Sequence, residues 1–237
     1  MVALILAGGR SSRMGQDKAL IPVHGIPMIR RVYDVAVQCS PPVYVISPWG
    51  DRYRPVLPDA CRFIPELAAQ RIDNNDTSLT GVALDKDSKV GQEEYRPGPL
   101  IGFYQGFRHI LMDHQMSSDE GWLLLLACDL PQLRPDVMQK WQTQLSTTSP
   151  STIAALPTHA RKGWQPLCGF YHYRCLSSLA DFLASGGQSF QQWFRLTKVD
   201  DQASQRIQAL PCPDSTMLFN CNSPKDLANI VEDSPLL

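Results

Sequence analysis

The sequence predicts an α/β fold, a mainly parallel sheet covered by helices on both faces. Three observations carry that expectation. Apolar runs of strand length alternate along the chain with segments of helical period. The runs Met1–Leu6 and Trp122–Ala127 contain no polar break, as strands buried on both faces require. Unusual loops follow the carboxyl ends of three runs, after Leu6, Ile64 and Ala127, where ligands bind in such sheets.

Met1–Leu6 reads as a buried strand that feeds a glycine loop, and 19–23 with His24-Gly25 as a short extended piece and a turn. Pro27 suits the first position of a helix, and Met28, Ile29, Val32, Val35, Ala36 and Cys39 then recur at helical spacing. Pro41-Pro42 stops that helix. Val43–Ser47 is a second buried strand, and 62–64 a short third. The stretch 68–97 is rich in Asp, Asn, Ser, Lys, Glu and Gln with no apolar period, and reads as a flexible insertion in a single domain spanning 1–237. Gly98-Pro-Leu-Ile-Gly102 opens a helix to about Met112. Trp122–Ala127 is the strongest central strand. Helices follow at 136–145, 176–183, 190–196 and 224–231, with strands at 153–156, 167–171 and 207–210, and an extended piece at 218–222. No internal repeat is visible.

Composition narrows the function classes. The 237 residues are 43% apolar with net charge -1, so no basic field recruits nucleic acid. No run approaches the ~20 apolar residues of a membrane span, and the short apolar start lacks the flanks of a signal peptide. Seven cysteines, an odd number without C-x-x-C spacing, argue against a zinc ribbon or a disulfide framework. A soluble, cytoplasmic protein is expected, with neither nucleic acid nor membrane as partner. The five histidines show no ligand spacing, and most of the five tryptophans read as core.

Four motifs carry chemistry. In 6–18, Gly8 and Gly9 let backbone amides approach phosphates, and Arg10, Arg13 and Lys18 supply three cations. The spacing is neither a Walker A loop nor the dinucleotide fingerprint. Ser11 and Ser12 read as hydrogen-bond donors, not nucleophiles. Asp129 at the tip of the central strand is a hard oxygen ligand placed to hold Mg²⁺, or a turn cap. Gly98–Gly102 puts a helix N-terminus where it can face a base or phosphate, or packs as a turn. In Asn220-Cys-Asn-Ser-Pro-Lys-Asp-Leu227, Ser223 caps a helix that starts at Pro224, with Asp226 near its third position. Asn220 and Asn222 stay available to a metal or phosphate.

These motifs, in this order, resemble the molybdenum cofactor guanylyltransferases. Residues 6–18 match L-A-G-G-x-S-x-R-M-G-x-D-K, 98–102 match G-P-L-x-G, 129–131 match D-x-P, and 220–227 match N-x-N-[ST]-P-x-[DE]-L. The 166–171 segment also looks like the family's. The resemblance implies a Rossmann-like three-layer αβα nucleotidyltransferase fold. It implies transfer of GMP from GTP to molybdenum-molybdopterin, giving the guanine dinucleotide cofactor and pyrophosphate, with Mg²⁺ as cofactor. Acceptor molybdoenzymes or their chaperones would be further partners. It also implies site roles. Leu6, Ala7, Gly8 and Gly9 contact the nucleotide, the first three through their backbone. Gly98, Pro99 and Leu100 help bind GTP. Arg13 and Lys18 hold β- and γ-phosphates, and Asp129 binds the metal with Asn222. Glu66 stands where the family often has an Asp that binds the guanosine part. Ile101 replaces a usual Ala, and Ser223 a usual Thr. Two alternatives stay open: a cytidylyltransferase acting on the same pterin or on a sugar or polyol phosphate, whose relatives more often show A-A-G in the first loop, and a nucleotide-sensing homologue without turnover.

Overall fold

In the computed structural model the described residues are 1–9, 15–67, 98–115, 121–159, 163–197 and 207–232. Arg10, Ser11, Ser12, Arg13 and the 68–97 insertion lie outside them. Ten strands are described: β1 (Val2–Leu6), β2 (Pro22–Val23), β3 (Ile26–Pro27), β4 (Val43–Ser47), β5 (Arg62–Pro65), β6 (Trp122–Ala127), β7 (Ala154–His159), β8 (Gly163–Trp164), β9 (Cys168–His172) and β10 (Ile207–Leu210). The helices are α1 (Met28–Cys39), α2 (Gly50–Tyr53), α3 (Pro99–Asp113), α4 (Pro135–Gln144), α5 (Cys175–Ala184), α6 (Phe190–Leu196) and α7 (Pro224–Glu232).

The main sheet runs in the order β10-β7-β9-β6-β1-β4-β5, with β8 paired to β7. The pairs β1–β4, β1–β6, β4–β5 and β7–β10 are parallel, while β9 runs antiparallel to both β6 and β7. The sheet is therefore α/β and mixed. Alternation of faces explains the unbroken apolar strands. Ala3 and Ile5 of β1, with Leu124 and Leu126 of β6, join α1 and α4 in one core cluster. Val2 and Leu4, with Leu123 and Leu125, join α3, α5 and α6 in the other. A strand buried on both sides carries a polar residue only where it is hydrogen-bonded, as Ser47 of β4 is to the Ala7 carbonyl.

Several boundaries differ from the sequence reading. Pro27 is the N-cap of α1, not its first helical residue, because it still belongs to the β2–β3 hairpin that turns at His24-Gly25. The start of the 19–23 piece is a 3₁₀ turn, Lys18–Leu20, capped by the Asp17 side chain. The extended piece expected at 218–222 begins as another 3₁₀ turn, Ser215–Leu218. Neither α2 nor β8 is legible in the sequence, since four and two residues hold no measurable period. The seven cysteines are free thiols, six of them buried. Among the described residues no helix is long and apolar enough to cross a membrane.

Register fixes the place of the site. Leu6 pairs with Ala127 on one side and Ile46 on the other, and Ser47 pairs with Pro65. Four parallel strands thus end on one edge. The residues that follow, Ala7-Gly8, Glu66 and Cys128-Asp129, emerge together where the connections from β1 diverge. Antiparallel β9 begins at this edge, so Leu167 joins them, its carbonyl accepting from Ala127 N at 2.8 Å.

Candidate active site

The cleft above this edge measures about 230 Å³. Its lining comes from the end of β1 (Leu6, Gly8, Gly9), from the β5 end and α3 (Glu66, Pro99, Gly102), from the β6 end (Cys128, Asp129), and from Lys18 and Leu167. The sequence-derived set therefore converges in large part. Three members stand aside for physical reasons. The Ala7 N–H donates to Ile46 O at 3.0 Å, and its carbonyl accepts from Ser47 Oγ at 2.8 Å, so its backbone is committed to the fold. Leu100 is fully buried in the core under α3. Gly98 is the N-cap of α3 outside the cleft lining. In their stead the structure brings in Ile46, Gly102 and Leu167. Arg13 lies outside the described residues.

At the phosphate end, Lys18 Nζ lies 2.5 Å from Asp129 Oδ2 and 3.1 Å from Asn222 Oδ1. Asn220 Nδ2 donates to the other Asp129 oxygen at 3.4 Å, and Cys221 N donates to the Asp129 carbonyl at 3.0 Å. The Asp129 side chain is 6% exposed and that of Lys18 18%. Burial by itself would lower the Lys18 ammonium, but the Asp129 carboxylate, with Cys128 and Cys221 nearby, offsets it, and the net shift is upward. The lysine stays charged. Its ammonium sits against side-chain oxygens of both Asp129 and Asn222.

The last motif forms the expected cap and brings Asn220 and Asn222 to the Lys18–Asp129 pair. Ser223 Oγ accepts from Asp226 N at 3.2 Å, a helix cap. Asp226 Oδ2 accepts from Asn222 N at 3.0 Å, which fixes Asn222 so that its side chain meets Lys18. The cap is what positions the site residue.

At the other end, the Glu66 carboxylate lies between two glycines. A Cβ built on Gly8 would fall 2.0 Å from Glu66 Oε2, and one on Gly102 2.9 Å from Oε1. Any larger residue at Gly8 displaces the carboxylate. The backbone is held on both sides. Glu66 N donates to Ser47 O at 3.1 Å, and the Gln105 carboxamide bonds both polar groups of Leu67, at 3.0 and 3.1 Å. Burial pushes the Glu66 carboxyl up to about 7. A second hollow of about 110 Å³, lined by Leu130, Gln165, Pro166, Leu167, Leu218 and Asn220 among others, adjoins the cleft at Leu167.

One side chain in the phosphate-side framework carried no sequence signal. Tyr53, at the end of α2 and 1% exposed, donates its hydroxyl to Asp17 Oδ2 at 3.0 Å and lies 3.3 Å from Ala7 O. A lone tyrosine before Arg54-Pro55 offers no motif to read.

A glycine turn at the end of β1, a lysine paired with a buried carboxylate at the tip of β6 and a second buried carboxylate after β5, all on one cleft of an α/β sheet, are the features expected of a nucleotidyltransferase. The sequence matches the family described as the MobA-like NTP transferase domain over residues 3–203. A probable molybdenum cofactor guanylyltransferase of Nostoc sp. is 43% identical over 230 residues, 97% of this chain and 90% of that protein. One of the same description from Synechococcus elongatus is 33% identical and covers 94% of each chain. The chain belongs to the molybdenum cofactor guanylyltransferase family. Among solved structures, molybdopterin-guanine dinucleotide biosynthesis protein A from Archaeoglobus fulgidus superposes with a TM-score of 0.64 at 16% identity, over 98% of this chain and 97% of that one. A 4-diphosphocytidyl-2C-methyl-D-erythritol synthase from Anaerococcus prevotii reaches 0.63 at 10% identity, over 98% and 94%. The fold is thus shared with proteins named for another base, and fold alone does not choose between them.

Proposed function

We propose that the protein transfers GMP from GTP to molybdenum-molybdopterin, releasing pyrophosphate and forming the guanine dinucleotide cofactor. The observation that carries this reading is the convergence of Gly8, Lys18, Glu66 and Asp129 on one cleft, in a chain similar along nearly its whole length to guanylyltransferases. A terminal phosphate oxygen of the pterin attacks the α-phosphorus of GTP. The bond from that phosphorus to the bridging oxygen of the β-phosphate breaks, and the electron pair leaves on pyrophosphate. No covalent enzyme intermediate is needed, so the chain contributes positioning and charge stabilisation.

Lys18 and Arg13 hold the β- and γ-phosphates and stabilise the departing pyrophosphate. The amides at Gly8 and Gly9 approach the phosphates from the strand end. Glu66 accepts from N–H donors of the guanosine part, in the slot left by Gly8 and Gly102. The second hollow, with Asn220 on the wall nearest Asp129, receives the acceptor.

Mg²⁺ fits the Asp129–Asn222 pair, whose oxygens already hold a cation. Among the described residues no cluster of three or more His, Cys, Asp or Glu could hold a metal by itself. One carboxylate with a carboxamide is a Mg²⁺ arrangement, because that ion completes its shell with substrate phosphates and water. Held by Asp129 and Asn222, it would supply positive charge against the triphosphate.

A pyrophosphate-release panel with each nucleoside triphosphate and molybdopterin tests the reading. Turnover should be greatest with GTP. A preference for CTP would overturn the base assignment, and tight binding of GTP with no turnover would favour a sensor.

A further inference from the structure

The first loop leaves β1 at Ala7 and returns to the sheet edge at Asp17-Lys18. Its two ends meet on one buried side chain from a third segment. The Tyr53 hydroxyl lies 3.0 Å from Asp17 Oδ2 and 3.3 Å from Ala7 O. Burial, reinforced by the Asp17 carboxylate, pushes the phenol far up, so it keeps its proton and donates. The Asp17 carboxylate accepts that hydrogen bond, and the Ala7 carbonyl is satisfied by Ser47 Oγ at 2.8 Å. Asp17 is held at its other oxygen, which accepts from Ala19 N at 3.1 Å and starts the 3₁₀ turn that carries Lys18. The Arg52 guanidinium, 3.8 Å from Asp17 Oδ2 and more than half exposed, adds only a screened contact.

We propose that Tyr53 is a positioning residue: through Asp17 it closes the base of the phosphate loop and sets the backbone from which Lys18 reaches both Asp129 and the triphosphate. The proposal rests on the triphosphate-binding reading of this loop, not on the choice of base or acceptor. Without the hydroxyl, Asp17 keeps its bond to Ala19 N but loses its tie to the β1–β4 edge. Lys18 then samples positions from which it meets Asp129 without meeting phosphate. The aromatic ring serves the core in either case.

Tyr53→Phe removes one oxygen and keeps the ring. Binding of GTP and of inorganic tripolyphosphate should each weaken by about tenfold, the scale of a lost hydrogen bond to a charged group. Guanosine, which lacks phosphates, should bind as to wild type. Asp17→Ala should weaken tripolyphosphate binding at least as much, and Tyr53→Phe added to it should cost no more, because the hydroxyl acts through Asp17. Unchanged tripolyphosphate affinity in Tyr53→Phe would overturn the proposal, as would an equal loss for guanosine or additive losses in the double variant. A wild-type preference for CTP would sink the base assignment and leave the tripolyphosphate expectations standing, with cytidine as the phosphate-free control.

Discussion

At the scale of single residues, the site is a set of mutual constraints. Glu66 occupies space that exists only because positions 8 and 102 are glycine. Gly8→Ala should therefore lower kcat/KM for GTP by about 10²-fold. Glu66→Asp in the same chain, one methylene shorter, should recover much of that loss. Steady-state kinetics of the two single variants and the double decide it, and additive losses would show that the contact is incidental. Lys18 and Asp129 constrain each other through charge. Lys18→Ala should cut pyrophosphate release by about 10²–10³-fold, the scale of removing one donor to developing charge. It should also bind Mn²⁺ more tightly than wild type without nucleotide, since ammonium and metal compete for the Asp129 and Asn222 oxygens. Electron paramagnetic resonance reads that affinity directly; weaker Mn²⁺ binding would remove Asn222 and Asp129 as ligands.

At the scale of elements, short connections decide what long ones present. The cap at the start of α7 illustrates this. Ser223→Ala removes one hydrogen bond, which costs about 1 kcal/mol of stability. The same change frees Asp226, which holds the backbone of Asn222. Activity should therefore fall further than stability suggests, and Ser223→Thr, the residue usual in the family, should restore both. Thermal melts and turnover measured on the same preparations separate the two effects. Antiparallel β9 has a comparable influence. Because it starts where β6 ends, it brings Leu167 to the wall shared by the two hollows, with Gln165 and Pro166 lining the smaller one. Leu218→Trp, which fills the smaller hollow, should raise the KM for molybdopterin several-fold and leave that for GTP nearly unchanged. A matched rise in both would show that the hollow is not a separate subsite.

For the whole molecule, the site works against stability. Burial raises the Glu66 carboxyl from its ordinary value of 4.5 to about 7. Between those values the folded state holds a proton that the unfolded chain has released, so this group's contribution to stability falls as pH rises through the window. Glu66→Gln carries no such charge. Its Tm should exceed that of wild type by a few degrees at pH 8 and by little at pH 5. Binding has the opposite sign. The ionised carboxylate is the better acceptor for guanine N–H groups, so wild-type affinity for GTP should rise as pH passes upward through about 7, and the variant should lack that step. Calorimetric titration across the range measures it; the same step in both proteins would place the titrating group elsewhere.

The sequence by itself determined the periodic and the local. Strands such as Val2–Leu6 and Trp122–Ala127 are legible because burial on two faces disfavours polar residues, and α1 and α3 because one face repeats every three to four positions. The glycine turn after β1, the Ser223 cap and the Asp129 tip are legible because glycine spacing, capping and strand ends are local in the chain. Only the tertiary structure decided what lies across from what. Ala7 and Leu100, neighbours of true cleft residues in sequence, have their backbone or side chain committed elsewhere. Tyr53 and Gly102 are brought to the ends of β1 and β5 by α2 and α3. Those contacts join positions tens of residues apart, where no spacing rule operates, and burial and hydrogen-bond satisfaction of the whole fold select them.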